Sequence, residues 1–307
     1  MNYHLGKNIV ATVTYYDVLD MPLTAVEIWK PLMAYEPEQK RDERGCTMGE
    51  VFRVLASGQL DAKIEERDGF YFLPGRSDLI KARIRAEKIS VAKLKRMRRL
   101  ARVLASVPYV RMLGATGSLA MKNSTRASDW DMFVVLRSGK IWIGRTLLTG
   151  FLHLIGKRRH GQKIRDRACL NYFVTDDNLA IGTQDLFSSH EYRFFIPLLN
   201  FDLFQIFELK NRWMREYRPN FVPTTIQSLW TVKKNASARG IRGILEYLLN
   251  FLDAENWLAG WQKDKIRRNP KTSLQGSLIE TSDQALIFLP RPRGPRIFQK
   301  FKARLGV

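Results

Sequence analysis

Apolar and polar positions repeat with two different periods along this chain, and each change of period marks a new element. In the first quarter, three short stretches have helical spacing, the first over residues 8–20 and the last over 47–57. Two strand-like runs then flank Asp68 and Gly69, a dipeptide typical of a tight hairpin turn. Three short helices followed by a hairpin predict a winged helix-turn-helix over residues 1–76.

The second and third of these helices carry further local signals. Thr24 precedes an apolar run and Glu27 follows three residues later, which is the pattern of a capping box. Winged helices often bind DNA, but the third helix is poor in cations and offers Arg53 against Glu50. A DNA-binding role and a purely structural or protein-interaction role therefore remain open for this module.

A long helix with a strongly basic side is predicted over residues 77–107. Apolar residues such as Leu94 and Met97 approximate one face, while Lys and Arg crowd the remainder. Such a run of charges is either a solvated helix face or a row of cations that binds the phosphate groups of a nucleic acid. The candidate nucleic-acid contacts on this helix are Lys95, Arg96, Arg98 and Arg99.

Strand and helix patterns alternate over residues 108–220, which predicts an α+β domain with helices covering a small sheet. One strand-like apolar run ends near Gly117, a second begins after Asp129 and a third spans 168–174. An apolar helix is expected between the second and the third run. A long helical stretch rich in aromatic residues is expected over about 185–217.

The C-terminal region, residues 221–307, is less regular. Its clearest feature is an amphipathic helix predicted over 240–262. The last residues are basic and contain several prolines, so we expect a helical, basic region that ends in a mobile tail.

The charge balance limits the choice of partner. The 307 residues contain 51 Lys and Arg against 30 Asp and Glu, a formal net charge of +21. This excess favours a polyanion, either a nucleic acid (RNA or DNA) or an anionic membrane surface.

The two cysteines, Cys46 and Cys169, give no zinc or disulfide framework, and the N-terminal residues lack an apolar signal segment, so a cytoplasmic location is expected. No apolar run reaches the roughly 20 residues of a membrane span.

Two carboxylates one residue apart, Asp129 and Asp131, open a run that predicts a buried strand. On a strand their side chains leave the same face, where like charges repel each other and burial increases the cost. Such a pair needs cations, and Mg²⁺ is usually bound by one or two carboxylates together with substrate phosphates. One or two such ions could stabilise a phosphoryl or nucleotidyl transfer.

Gly117 and Ser118 lie upstream, at the predicted end of the preceding strand. Glycine lets backbone and ligand approach closely, and the Ser118 hydroxyl with nearby N–H groups can hold phosphate oxygens. We therefore predict a site for a nucleoside triphosphate (NTP) beside the metal. The predicted nucleotide-binding residues are Gly117, Ser118, Lys122 and Ser128, and the predicted catalytic and metal-binding residues are Asp129 and Asp131.

This stretch resembles the signature of nucleotidyltransferases of the DNA polymerase β superfamily, in their small prokaryotic form. The residues that carry the resemblance are Thr116, Gly117, Ser118, Ala120, Ser128, Asp129 and Asp131. The similarity is strong over about 110–136 and looser to about 220, and an uncharacterised group of such proteins also has a winged helix ahead of this domain. The resemblance implies a Mg²⁺-dependent enzyme that transfers a nucleoside monophosphate from an NTP to an acceptor and releases pyrophosphate. The charge favours RNA as the acceptor, and a protein hydroxyl is the alternative.

Two positions depart from the pattern of this family. Lys122 stands where the family often has Gly. The family's third carboxylate, which binds metal and can act as a base, falls on the strand over 168–174, where alternation points to Asn171 as the metal ligand. An amide oxygen can bind metal but takes no proton at neutral pH. Either Asp166 or Asp176 supplies the missing carboxylate, or the chain is a catalytically degenerate nucleotidyltransferase fold that binds nucleic acid or regulates.

Overall fold

The N-terminal elements are short and are defined by local signals. In the computed structural model, which describes residues 3–34, 45–252 and 254–306, they are α1 Tyr3–Asp17, α2 Ala25–Trp29, α3 Met48–Leu55, β1 Glu65–Arg67 and β2 Phe70–Phe72. The predicted capping box is confirmed, because Thr24 Oγ1 accepts from the Glu27 N–H while the Glu27 side chain accepts from Thr24. The predicted hairpin is also confirmed, and Asp68 and Gly69 both have positive φ in its turn.

Helix α4, Leu79–Leu104, is the predicted basic helix and runs for 26 residues. Its apolar side packs into the main core through residues that include Leu94, Met97 and Leu104. Most of its cations are exposed, but Arg83 is buried and donates to Glu27 Oε1 at 2.7 Å. This helix therefore joins the N-terminal elements to the rest of the chain.

The central sheet collects strands from both sides of the predicted boundary at residue 220. Its strands are β3 Val110–Ala115, β4 Trp130–Leu136, β5 Ala168–Thr175, β6 Ile196–Leu199, β7 Leu278–Thr281 and β8 Ala285–Leu289. Within the described residues these form one mixed sheet in the order β6-β3-β4-β5-β8-β7, which confirms the predicted α+β class. Only the β4–β5 pair is parallel among these described neighbours. A parallel pair needs a long crossover, and the helix after β4 supplies it.

The remaining helices cover the two faces of this sheet. They are α5 Gly117–Ala120, α6 Ile141–Leu154, α7 Leu186–Arg193, α8 Phe201–Lys210, α9 Met214–Tyr217, α10 Ala236–Asn250, α11 Glu255–Arg267 and α12 Gly294–Leu305. Val134 and Phe173 belong to the core under α4 and α6, whereas Phe133 and Tyr172 belong to a second core rich in aromatic rings. The side chains of β4 thus alternate between two apolar layers, as a buried strand requires.

The prediction of one long helical stretch over about 185–217 is wrong. Helix α7 ends at Arg193, and β6 pairs with β3 before α8 and α9 follow. The apolar composition is continuous here, so periodicity alone does not separate a short strand from helix. The edge of β3 favours a strand at this point, because its backbone N–H and C=O groups are satisfied by pairing with β6.

The expectations for residues 221–307 are corrected in two respects. The single helix predicted over 240–262 is interrupted, and β7 and β8 extend the central sheet through the β5–β8 pair. The residues of the predicted mobile tail form α12, whose Phe301 is buried in the N-terminal core, and Arg304 contacts Asp17 there. The C-terminal segment is anchored because its amphipathic helix covers apolar surface left open by the N-terminal helices.

Candidate functional site

The two predicted carboxylates lie at the start of β4 and form a cluster with a cysteine of β5. Asp131 is the second residue of β4 and is paired in register with Cys169, while Asp129 directly precedes the strand. A carboxylate oxygen of each aspartate and the Cys169 Sγ lie within 4.8 Å of one another. The two carboxylates therefore lie close together, and Cys169 is a third member of the cluster that the sequence did not indicate.

Asn171 does not occupy the position that strand alternation predicted for it. Asp131 pairs with Cys169 and Phe133 pairs with Tyr172, so the intervening Met132 is opposed by two residues of β5. This is a β-bulge, in which an additional residue interrupts the alternation of faces. Leu170 and Asn171 are the two bulge residues, opposite a Met132 side chain that packs in the core on the other face from Asp131. The bulge therefore breaks the alternation on which the assignment of Asn171 rested, and Cys169 is the β5 residue that lies beside both carboxylates.

The Gly117–Ser118 turn lies directly against the carboxylates. The Thr116 N–H donates to the backbone oxygen of Asp131 at 3.1 Å, so β3 delivers the turn to the start of β4. Gly117 has φ of +62°, and a Cβ at this position would overlap Asp131 Oδ2 and lie 3.1 Å from Asp131 Cγ. Glycine is needed here both for its positive φ and for its missing side chain. The Ser118 hydroxyl lies 3.3 Å from the Ser124 hydroxyl, at the start of the same loop.

Lys122 and Ser128, the other two predicted nucleotide-binding residues, bond within the protein. Lys122 Nζ lies 3.1 Å from Glu87 of α4. The Ser128 hydroxyl accepts from the Thr125 N–H at 3.0 Å and so shapes its own loop. Both side chains hold the loop between α5 and β4 in place.

Arg159 approaches the carboxylate cluster from the segment after α6. Its Nη1 donates to Asp129 Oδ2 at 2.6 Å and lies 3.4 Å from Cys169 Sγ. Burial and then the charge of Asp129 raise the pKa of Asp131 to about 6, although Arg293 and Arg159 oppose the shift. The two guanidinium groups therefore do not fully offset burial and the Asp129 charge, and an additional cation would favour the charged form of Asp131.

Cys169 has the properties of a thiol. Burial raises its pKa to about 12, and the charges of Asp131 and Asp129 contribute in the same direction. At neutral pH the free thiol keeps its proton, so the anionic groups of this cluster are the two aspartates.

Glu191 of α7 is a further carboxyl group coupled to this site. Burial raises its pKa to about 7, and the charge of Asp131 adds to the shift while Arg293 opposes it. Arg293 comes from the segment that leads into α12. Sequence reasoning missed Arg159, Glu191 and Arg293, because each comes from a segment distant in the chain and carries no motif of its own.

The other predicted carboxylates and cations lie outside the cluster. Asp166 contacts Lys93 at 3.2 Å and Arg96 at 2.5 Å, and Asp176 accepts from the Ser138 N–H at 2.8 Å. Neither belongs to the one group of potential metal ligands found among the described residues. On α4, Lys95, Arg96 and Arg99 are exposed and Arg98 is half-buried.

In comparisons with known proteins, no protein-family model, curated protein or solved structure matches the chain.

Proposed function

We propose that this chain is a Mg²⁺-dependent nucleotidyltransferase with a polymerase-β-like sheet, preceded by a winged helix. The observation that carries the proposal is the contact between the Gly117 turn and Asp131, which excludes even a methyl group. A turn able to accept phosphate oxygens beside a carboxylate pair able to hold their metal ion is what NTP chemistry requires. The acceptor is RNA in this proposal, in keeping with the net charge of +21.

The donor set fits a hard divalent ion. Mg²⁺ takes oxygen ligands and is commonly held by one or two carboxylates plus the phosphates of its substrate. Asp129 and Asp131 supply two carboxylates beside a single cysteine. Zinc sites are usually built from several Cys or His ligands, so this oxygen-rich set favours Mg²⁺ with bound nucleotide over zinc.

The chain's own residues have separate tasks in this reaction. Asp129 and Asp131 would hold the ion, which when bound supplies Lewis-acid stabilisation of charge on the transferred phosphoryl group. The Ser118 hydroxyl and the backbone of its turn orient the triphosphate. Arg159 places a positive charge beside Asp129. Burial raises the pKa of Glu191 to about 7, so this carboxyl group can exchange a proton near neutral pH, and the charge of Asp131 contributes to the shift.

The alternative is a catalytically degenerate protein of the same fold that only binds nucleic acid. Its support is the β5 strand, which presents Cys169 beside Asp131 in place of a third carboxylate. The two functions differ in whether Asp129 is needed for transfer of label from an NTP.

The test uses the full-length protein, α-labelled NTPs, Mg²⁺ and total RNA. Asp129→Asn removes a charge while keeping the side-chain shape, and Asp202→Asn is the control because Asp202 is exposed and pairs with Lys234 on α8's outer side. We expect label transfer by the parent and the control, and at least about a hundredfold loss in Asp129→Asn, the magnitude typical of removing an electrostatic catalytic group. Transfer that survives Asp129→Asn would refute the assignment of the site. No transfer, together with no Mg²⁺-dependent rise in melting temperature on adding NTP, would favour the binding protein.

A further inference from the structure

A basic cavity lies beside the carboxylate site, between α4 and the loops that precede β4 and β5. Its volume is about 320 Å³. Its charged lining consists of Lys88, Lys93, Arg96, Arg126, Arg165 and Asp166. Five cations face one carboxylate, so four positive charges are uncompensated by the lining itself.

The floor of this cavity is a buried ionic group that also supports the site. Lys93 is 2% exposed, and its Nζ donates to the backbone oxygens of Arg126 at 3.2 Å and Ser128 at 2.5 Å. The same Nζ lies 3.2 Å from Asp166, whose second oxygen accepts from Arg96 at 2.5 Å. Because Ser128 directly precedes Asp129, the cavity and the carboxylates share one rigid loop.

The rim carries cations that this group does not neutralise. Within the described part of the chain, Lys88 and Arg126 form no ion pair, and Arg165 reaches Asp166 only at 3.8 Å. The single carboxylate already has two closer partners. Clustered cations repel each other, so a bound anion would be stabilised by all of them.

The size and surroundings of the cavity favour a phosphate group of an extended chain. A volume of about 320 Å³ is at the low end of ligand pockets, which run from about 300 to 1,000 Å³. On α4 the exposed cations continue from Lys88 through Lys95 and Arg99 to Arg102, at spacings that keep them on one side of the helix. At 1.5 Å per residue this row is about 21 Å long, which suits a polynucleotide better than a single nucleotide.

We propose that this basic cavity binds a backbone phosphate of the polynucleotide acceptor and fixes that strand beside Asp129. The proposal rests on the proposed function for the identity of the strand as acceptor. The binding itself requires neither metal nor NTP.

The test measures the affinity of a fluorescent single-stranded RNA 12-mer in EDTA over a series of KCl concentrations. The variant is Arg126→Gln/Arg165→Gln, and the control Lys30→Gln/Lys210→Gln removes two exposed cations that lie on other elements than α4. We expect the cavity variant to bind about tenfold more weakly and to lower the salt slope by about 0.7, the contribution of one phosphate contact on a single strand. The control should change the affinity by less than about threefold, because distant charges are screened.

Equal losses in the two variants would overturn the proposal, since they would show a general effect of net charge. Loss of tripolyphosphate binding with unchanged RNA affinity would overturn it too, and would assign the cavity to free nucleotide. Failure of label transfer with intact, cavity-dependent RNA binding would refute the proposed enzyme while leaving the cavity assignment standing.

A different observation carries a second inference. Among the described residues of 241–261, nine large apolar side chains are exposed. Phe251 is 71% exposed and Trp257 is 69% exposed, and Ile244, Leu248 and Trp261 are more than half exposed. An apolar surface of this extent on α10 and the start of α11 marks a binding face.

The charges around this apolar face indicate what covers it. Exposed cations flank it on both sides, with Lys233, Lys234 and Arg239 before it and Lys265 and Arg268 after it. Aromatic and aliphatic residues framed by Lys and Arg are the pattern of helices that lie in the surface of anionic membranes. A second copy of the chain would bring another net charge of +21 against the first, which disfavours self-association. No helix among the described residues is long and apolar enough to cross a bilayer, so contact would be confined to its surface.

We propose that the apolar face of α10 and α11 binds the surface of anionic lipid bilayers. The test is flotation with phosphatidylcholine vesicles that contain either no or about 30% phosphatidylglycerol, because the negative potential of anionic lipids attracts basic segments. Leu248→Ser/Phe251→Ser should lose most binding, whereas Ile84→Ser/Val103→Ser, two exposed apolar residues of α4, should keep it. Tryptophan fluorescence of the parent should shift to the blue on binding. Equal flotation of both variants, no binding to anionic vesicles, or a dimer that Leu248→Ser/Phe251→Ser dissociates would each overturn the inference.

Discussion

Gly117 offers the most direct test of the site geometry, because it does not depend on any assigned activity. The residue has φ of +62° and turns the chain where β3 meets α5. Gly117→Ala introduces a methyl group that overlaps Asp131 Oδ2. The substitution should therefore destabilise the fold in two separable ways.

The first cost is conformational and the second is steric. A non-glycine residue in the left-handed region costs roughly 1–2 kcal/mol. Forcing a methyl group into a packed position typically costs a further 1–3 kcal/mol, so we expect a total of about 2–5 kcal/mol. Gly139→Ala isolates the first cost, since Gly139 has φ of +69° and, apart from its two chain neighbours, no described residue has an atom within 4 Å of its Cβ position.

Urea unfolding of the parent and variants would measure both costs from midpoints and slopes. In an Asp131→Ala background the overlapping oxygen is absent, so the cost of Gly117→Ala should fall toward that of Gly139→Ala. The resulting coupling energy should be about 1–3 kcal/mol. A cost no larger than that of Gly139→Ala, or one that is unchanged by Asp131→Ala, would refute the close contact on which the site is built.

Further predictions concern groups remote from this contact, and urea unfolding tests all of them. Burial holds the pKa of His190 well below 6.5. As the pH falls, the unfolded chain therefore binds a proton at this position and the folded chain does not. Between pH 7.5 and 5.5 the free energy of unfolding of the parent should fall by about 1.4 kcal/mol relative to that of His190→Gln. Equal pH dependence of the two proteins would contradict a neutral, buried imidazole. Phe301→Ala should cost about 3–5 kcal/mol because it opens a cavity in the N-terminal core, whereas a mobile tail would give almost no change. Glu246 accepts from Arg111 at 2.8 and 2.9 Å and from the Tyr109 N–H at 2.7 Å; burial opposes these bonds, but its pKa is lowered overall. Glu246→Gln should therefore lower the free energy of unfolding by about 1–3 kcal/mol at pH 7. The difference between the two proteins should shrink as the pH falls below the ordinary glutamate pKa, because Glu246 of the parent becomes protonated. A difference that stays constant with pH would contradict the lowered pKa.

Several features of this protein were determined by short stretches of sequence. The Asp68-Gly69 hairpin and the Thr24 cap form as predicted, because turn and cap geometry depends on neighbouring residues. Asp129 and Asp131 share a site because residues two apart on a strand leave the same face. The basic helix α4 also follows from its own periodicity.

The partners of these elements were decided only by the tertiary structure. Strand β6 exists because it satisfies the edge of β3, and α12 is anchored because Phe301 enters a core built from the opposite end of the chain. Regular pairing places Cys169 beside Asp131, and the bulge that follows in β5 breaks the alternation that had indicated Asn171, since a shift of a single residue exchanges the two faces of a strand. Arg159 and Glu191 reach the carboxylates through the same long-range packing. Local periodicity determines which face of each element is apolar, but pairing between distant segments determines which side chains meet at the site.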